Sequence, residues 1–94
     1  MSQPAQIPGL AELRMQIDAL DSQLLELLNQ RAQVSLAVGQ AKAKAGNAKI
    51  YDPAREAQLL SRLAERNPGP LTAAHIESIW REIMAASRDL QKQV

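Results

Sequence analysis

Between Leu10 and Lys44 the apolar positions recur at alternating steps of four and three: Leu13, Ile17, Leu20, Leu24 and Leu27, then Val34, Val38 and Ala41. Steps of three and four keep side chains on one stripe of a helix, so the whole stretch reads as one uninterrupted helix. Arg31 occupies the middle of the stripe, where the pattern calls for an apolar residue. Lys42 follows eleven residues later, which at about 100° per residue returns it to within roughly 20° of the same face. Two long cations therefore point at whatever the leucines pack against.

The pattern then breaks and resumes twice. Gly39 lies inside the first helix at a small cost in stability, and a close approach by another backbone would explain it. Gly46 and Asn47 supply a stop of the kind that ends helices. Asp52-Pro53 is a natural start, because proline suits the first helical position and aspartate caps it. That second helix runs to about Arg66 with Glu56, Leu59, Leu60 and Leu63 facing inward. Asn67-Pro68-Gly69-Pro70 is a firm break. Thr72 caps a third helix whose apolar side carries Ile76, Ile79, Trp80, Ile83, Met84, Ser87, Leu90 and Gln91. His75, near its start on an exposed side, reads as inert. The fold class is all-α, a three-helix chain (long, short, long), with residues 1–8 as a flexible N-terminal tail and 9–94 as one domain.

Length changes this picture. About 35 helical residues make a rod of roughly 50 Å, whereas a compact domain of this size has a radius of gyration of only about 12 Å. One copy cannot cover such a helix, so the expectation is an intertwined helical homodimer. Composition agrees: sixteen Ala, thirteen Leu, no Phe and four Gly in 94 residues favour helix throughout. A formal net charge of +1 argues against a dedicated nucleic-acid binder. With no cysteine there is no disulfide, thiolate catalysis or thiolate metal site. Met1 to Pro8 has neither the basic nor the apolar region of a secretory signal, and no apolar run approaches membrane-spanning length. The expected location is the cytoplasm, without a membrane partner.

The polar groups on or beside the apolar stripes are Arg31, Lys42, Arg55, Glu56, Ser87 and Gln91, with Asp52 at a helix start. Buried charges are costly unless paired. Three cations face two carboxylates, one of them engaged in capping. If they converge, the pocket wants an anion, and Arg and Lys beside Ser and Gln suit a carboxylate. The blander account stays open. Arg and Lys lay their stems on apolar surface and leave the charge in water, Arg55 has Glu56 or Glu26 to pair with, and Asp52 serves as a cap alone. The short basic run Lys42, Lys44, Lys49 fits a solvated edge, and Trp80 fits the core. No Gly-rich phosphate loop, metal-ligand cluster or Ser-His-Asp set is present.

Five segments nevertheless carry a specific likeness. Leu13-Arg14-x-x-Ile17-Asp18, Leu28-Asn29-x-Arg31-Ala32, Val38-Gly39-x-x-Lys42, Ile50-Tyr51-Asp52-Pro53-x-Arg55-Glu56 and Trp80-Arg81-Glu82-Ile83-Met84-x-x-Ser87 resemble the all-helical (type II) chorismate mutases in order and spacing. The likeness runs from about Leu10 to Gln91 and is nearest to the N-terminal mutase domain of bifunctional chorismate mutase–prephenate dehydratases. It implies an isomerase of the shikimate pathway that converts chorismate to prephenate for phenylalanine and tyrosine, on an intertwined dimer with two equivalent sites and no cofactor or metal. By resemblance, Arg14 reaches a ligand carboxylate in the other subunit's site and Arg31 holds one within its own. Lys42 and Gln91 donate to the ether oxygen of the breaking bond, Lys42 also touching a carboxylate. Glu56, with the helix start at Asp52, holds the ring hydroxyl, while Arg55 and Ser87 complete the wall near a carboxylate. Some relatives carry Glu at the position of Gln91, where it must be protonated to donate.

Spacing bears on one of these roles. Arg14 precedes Arg31 by seventeen residues, roughly 25 Å along and about 100° around the helix. Both cannot touch one small ligand from one straight helix, so a shared site must take Arg14 from the partner chain. Two other functions compete: an isochorismate-pyruvate lyase on the same fold, and a non-catalytic helical dimerisation or regulatory module. The first would use most of the same cations, and the second would have no use for Arg14, Arg31, Lys42 and Gln91 together. A free-standing mutase and one domain of a longer polypeptide fit these residues equally.

Overall fold

The computed structural model describes residues 9–46 and 49–93. The expected tail, residues 1–8, and Asn47 of the expected helix stop lie outside the described residues. Three helices follow in order: α1 (Leu10–Lys44), α2 (Pro53–Arg66) and α3 (Ala73–Gln91). Among the described residues there is no strand, and no helix is long and apolar enough to cross a membrane.

Local chemistry sets the helix ends. After α1, Gly46 adopts a φ of 75°, a conformation that side-chain-bearing residues avoid. The Asp52 carboxylate accepts from the Arg55 backbone N–H at 3.0 Å, and Pro53 takes the first helical position of α2. Beyond Arg66 the chain turns extended at Asn67, whose amide accepts from Gly69 N–H at 3.0 Å and donates to the Leu71 carbonyl at 2.7 Å. Thr72 caps α3 by accepting from His75 N–H at 3.1 Å. His75 is exposed but not idle, because its Nδ1 accepts from Thr72 N–H at 3.2 Å and closes a reciprocal capping box. Glu or Gln usually fills that position, which is why the histidine went unread in the sequence.

The chain divides after Gln30 into two units. In the first, every described residue of α1 is exposed, with Leu20, Leu24 and Leu27 at 58%, 55% and 60%. A helix that bares this much apolar surface to water calls for a covering partner.

In the second unit, α2 packs on α3. Ile76 and Met84 are its buried apolar residues, joined by Ser35 and Gly39 from α1. Glu56, Leu59, Leu60 and Leu63 form the half-buried face of α2, as the pattern predicts. On α3 the stripe passes through Ile76, half-buried Trp80 and Ile83, and Met84, but Ile79 is exposed. Residue 79 lies about 60° around from Ile76 on the flank away from Trp80. On α1 the expected Val34 and Val38 are exposed, and the inward positions are Arg31, Ser35, Gly39 and Lys42. Small residues admit a close neighbour, and hydrophobic periodicity gives them no weight.

The capping box yields a stability test. Thr72→Ala is expected to lower the unfolding free energy by about 1 kcal/mol, and His75→Ala by less. The double variant is expected to lose less than the sum, since each cap bond positions the other; thermal and urea unfolding of the four proteins measures this.

Candidate functional site

Within the second unit, α1, α2 and α3 enclose a cleft of about 460 Å³, within the range of small-molecule sites. Its floor and sides are apolar: Val34 and Val38 from α1, Ile50 from the approach to α2, Leu59 from α2 and Met84 from α3. Into it reach Arg31, Ser35, Lys42, Asp52, Arg55, Glu56, Ser87, Arg88 and Gln91. Seven of the eight sequence-predicted site residues therefore converge: Arg31, Lys42, Asp52, Arg55, Glu56, Ser87 and Gln91. Arg14, the eighth, is an exposed residue of the first unit and is not in this lining.

Helical spacing puts these groups in reach of one another. Arg31, Ser35 and Lys42 share a face of α1, and Ser87 and Gln91 are one turn apart on α3. The Ser35 and Ser87 hydroxyls meet at 2.6 Å. Gln91 Nε2 donates to Ser87 Oγ at 3.4 Å, while Gln91 Oε1 accepts from Lys42 Nζ at 3.1 Å. Lys42 Nζ also donates to the Ile50 carbonyl at 3.4 Å. A continuous polar chain thus runs from the middle of α1 across α3 to the approach to α2. An ammonium carries three donors, so Lys42 keeps one for a ligand.

The charges do not balance. Four cations (Arg31, Lys42, Arg55, Arg88) face two carboxylates (Asp52, Glu56). Glu56 is taken by Arg88, whose Nη1 donates to Glu56 Oε2 at 2.5 Å. The pKa of Arg88 is raised above its ordinary value, chiefly by that hydrogen bond. Asp52 is occupied in capping α2. Arg55 forms no ion pair with its neighbour Glu56, and among the described residues neither Arg31 nor Lys42 meets a carboxylate within ion-pair distance. A cleft with this spare positive charge favours an anion, and its donors suit carboxylates.

Sequence reasoning missed two contributors. Ser35 is buried and polar on a helix where only larger apolar residues drew notice. Arg88 pairs across 32 residues with Glu56; its place one turn beyond buried Met84 was the available signal.

The family model for chorismate mutase type II matches residues 13–92. The chain belongs to the chorismate mutase type II family. It is 39% identical over 72 residues to the bifunctional chorismate mutase/prephenate dehydratase of Neisseria gonorrhoeae, covering 77% of this chain and 19% of that protein. The intracellular chorismate mutase of Mycobacterium tuberculosis is 37% identical over 67 residues, covering 71% of this chain and 61% of that one. The crystal structure of the Helicobacter pylori chorismate mutase in complex with prephenate superposes with a TM-score of 0.82 at 33% identity, over 89% of this chain and 90% of the other. The chain spans about a fifth of the length of its bifunctional relative. Family membership and the three-helix architecture agree with the likeness carried by the five sequence segments.

The Ser35–Ser87 contact is testable in stability. Ser35→Ala removes one partner of a buried hydrogen bond and is expected to lower the unfolding free energy by about 1 kcal/mol. Adding Ser87→Ala is expected to cost less than Ser87→Ala alone, and a double-mutant cycle by urea unfolding measures the coupling.

Proposed function

We propose that the chain is a chorismate mutase, an isomerase that rearranges chorismate to prephenate, with residues 9–94 as its catalytic domain. The observation that carries this is the convergence of Arg31, Lys42 and Arg55, none of them offset by a carboxylate partner, with Gln91 in one half-apolar cleft. Family membership and the prephenate bound by the Helicobacter pylori protein give the anion its identity. We place the protein in the cytoplasm, as the name of its mycobacterial relative suggests.

In the rearrangement a C–O bond breaks as a C–C bond forms within one molecule. No proton is transferred and no nucleophile is consumed, so the protein's part is restraint and charge placement. Arg31 grips one carboxylate of the dianion, with Arg55 and Ser87 on the wall near a carboxylate. Holding both carboxylates selects the compact conformer in which the reacting carbons approach. Lys42 and Gln91 donate to the ether oxygen, where negative charge grows as the bond breaks. Donors aligned in advance stabilise that charge more in the transition state than in the ground state. Lys42 has its third N–H for this task, and Gln91 Nε2 gives up only a long contact to Ser87. Glu56 spends Oε2 on Arg88 and keeps Oε1 to accept from the ring hydroxyl beside Asp52.

The second carboxylate completes the case for a homodimer. The bare leucines of α1 are covered in this proposal by a second copy, which brings its own Arg14 to the site. An isochorismate-pyruvate lyase would share the cations, and assaying both substrates separates the two activities.

The decisive experiment is the absorbance decay of chorismate on adding purified protein, with prephenate identified as product; no decay would end the proposal. Lys42→Ala is expected to lose about 10²–10³ in turnover while circular dichroism and dimer mass stay unchanged. Gln91 donates at any pH, whereas a glutamate must first take up a proton. Gln91→Glu is therefore expected to shift the rate optimum to acid pH, and an unchanged profile would remove Gln91 from the site.

A further inference from the structure

We propose that Arg88 is a positioning residue that acts through Glu56, tying up a carboxylate that would otherwise compete with the substrate for the cations of the cleft. The inference rests on the mutase reading, in which the ligand is a dianion.

Three observations support it. First, the pair joins the first turn of α2 to the last turns of α3 at 2.5 Å, with side chains 29% and 22% exposed. Glu56 is the one carboxylate in the lining not held by a helix cap. Without Arg88 its nearest compensation is Arg31, Lys42 or Arg55, the same groups a dianion needs. Second, the Arg88 guanidinium sits 5.2 Å from the centre of the Tyr51 ring. Stacking on the ring and pairing with Glu56 fix the planar fork from two sides. Third, Arg88 and Glu56 line the same cleft, so the neutralised carboxylate faces the ligand space. A bare carboxylate there would repel an anionic ligand, whereas a paired one is left able to accept a single hydrogen bond.

The experiment measures chorismate kinetics and, by calorimetry, prephenate binding for the wild type, Arg88→Met, Arg88→Lys, Glu56→Gln and the double variant Arg88→Met/Glu56→Gln. Arg88→Met is expected to raise KM and the prephenate Kd about tenfold or more, with a smaller change in kcat. Arg88→Lys, which keeps the charge without the fork, is expected to recover part of the loss. In the Glu56→Gln background, Arg88→Met is expected to shift KM and Kd by less than about twofold. Equal shifts in both backgrounds, or none in either, overturn the proposal, because Arg88 would then act without Glu56. Arg88→Lys behaving like Arg88→Met also overturns it, and if Arg88→Met loses its helical circular dichroism, the Arg88→Lys comparison in the two backgrounds decides. A wild type that neither consumes chorismate nor binds prephenate removes the functional reading and this inference together; an active wild type with additive variants removes the inference alone.

Discussion

Positive charge held against an apolar wall is the constraint on which the second unit is built. Moving a cation out of water is unfavourable unless something negative or strongly polar meets it. The cleft answers only part of that demand from within. Arg88 has Glu56, and Lys42 has the oxygens of Gln91 and Ile50. Arg31 and Arg55 complete a lining in which cations outnumber carboxylates two to one. That surplus is tolerated because the cleft is open to water, and it becomes useful when a dianion replaces the water. Stability and ligand preference are set here by the same groups.

The geometry of α1 makes this possible. Arg31 and Lys42 lie eleven residues apart on one face, with Ser35 and Gly39 between them. Large side chains at those two positions would hold α3 away, and the two serine hydroxyls could not meet at 2.6 Å. The close approach then aligns Ser87 and Gln91 with Lys42 along one hydrogen-bonded chain. Each member of such a chain limits the freedom of the next, so donors are aimed before a ligand arrives.

What could be read from the sequence follows from the range of the interactions. Helix ends were legible because caps are local: Asp52-Pro53 and Thr72 act within three or four residues. The convergence of Arg31, Lys42, Glu56 and Gln91 was legible because each breaks an apolar stripe whose direction is known from periodicity. Ser35 was not, since a small residue leaves no trace in a hydrophobic pattern however tightly it is packed. The rotation of the inward face away from Val34 has the same origin. Arg88 was hidden for another reason: its partner is on a different helix, and nothing in the local spacing of α3 names Glu56. His75 was misjudged because an imidazole took a place where a carboxylate or amide is customary.

The first unit and the cleft answer to one requirement in the proposed assembly. Leu20, Leu24 and Leu27 have no cover of their own, and a short chain has little core to offer them. A second copy supplies matching leucines at no cost in sequence, because an isologous contact uses each patch twice. Arg14 lies on that same stretch of helix. Association that covers the leucines therefore also carries a cation that the cleft cannot draw from its own chain. A long helix lets the apolar contact and the ligand contact be made by different parts of one rigid element. On this view the leucine stripe and the cations in it are parts of one device, the first holding two chains together and the second giving the joined chains a use.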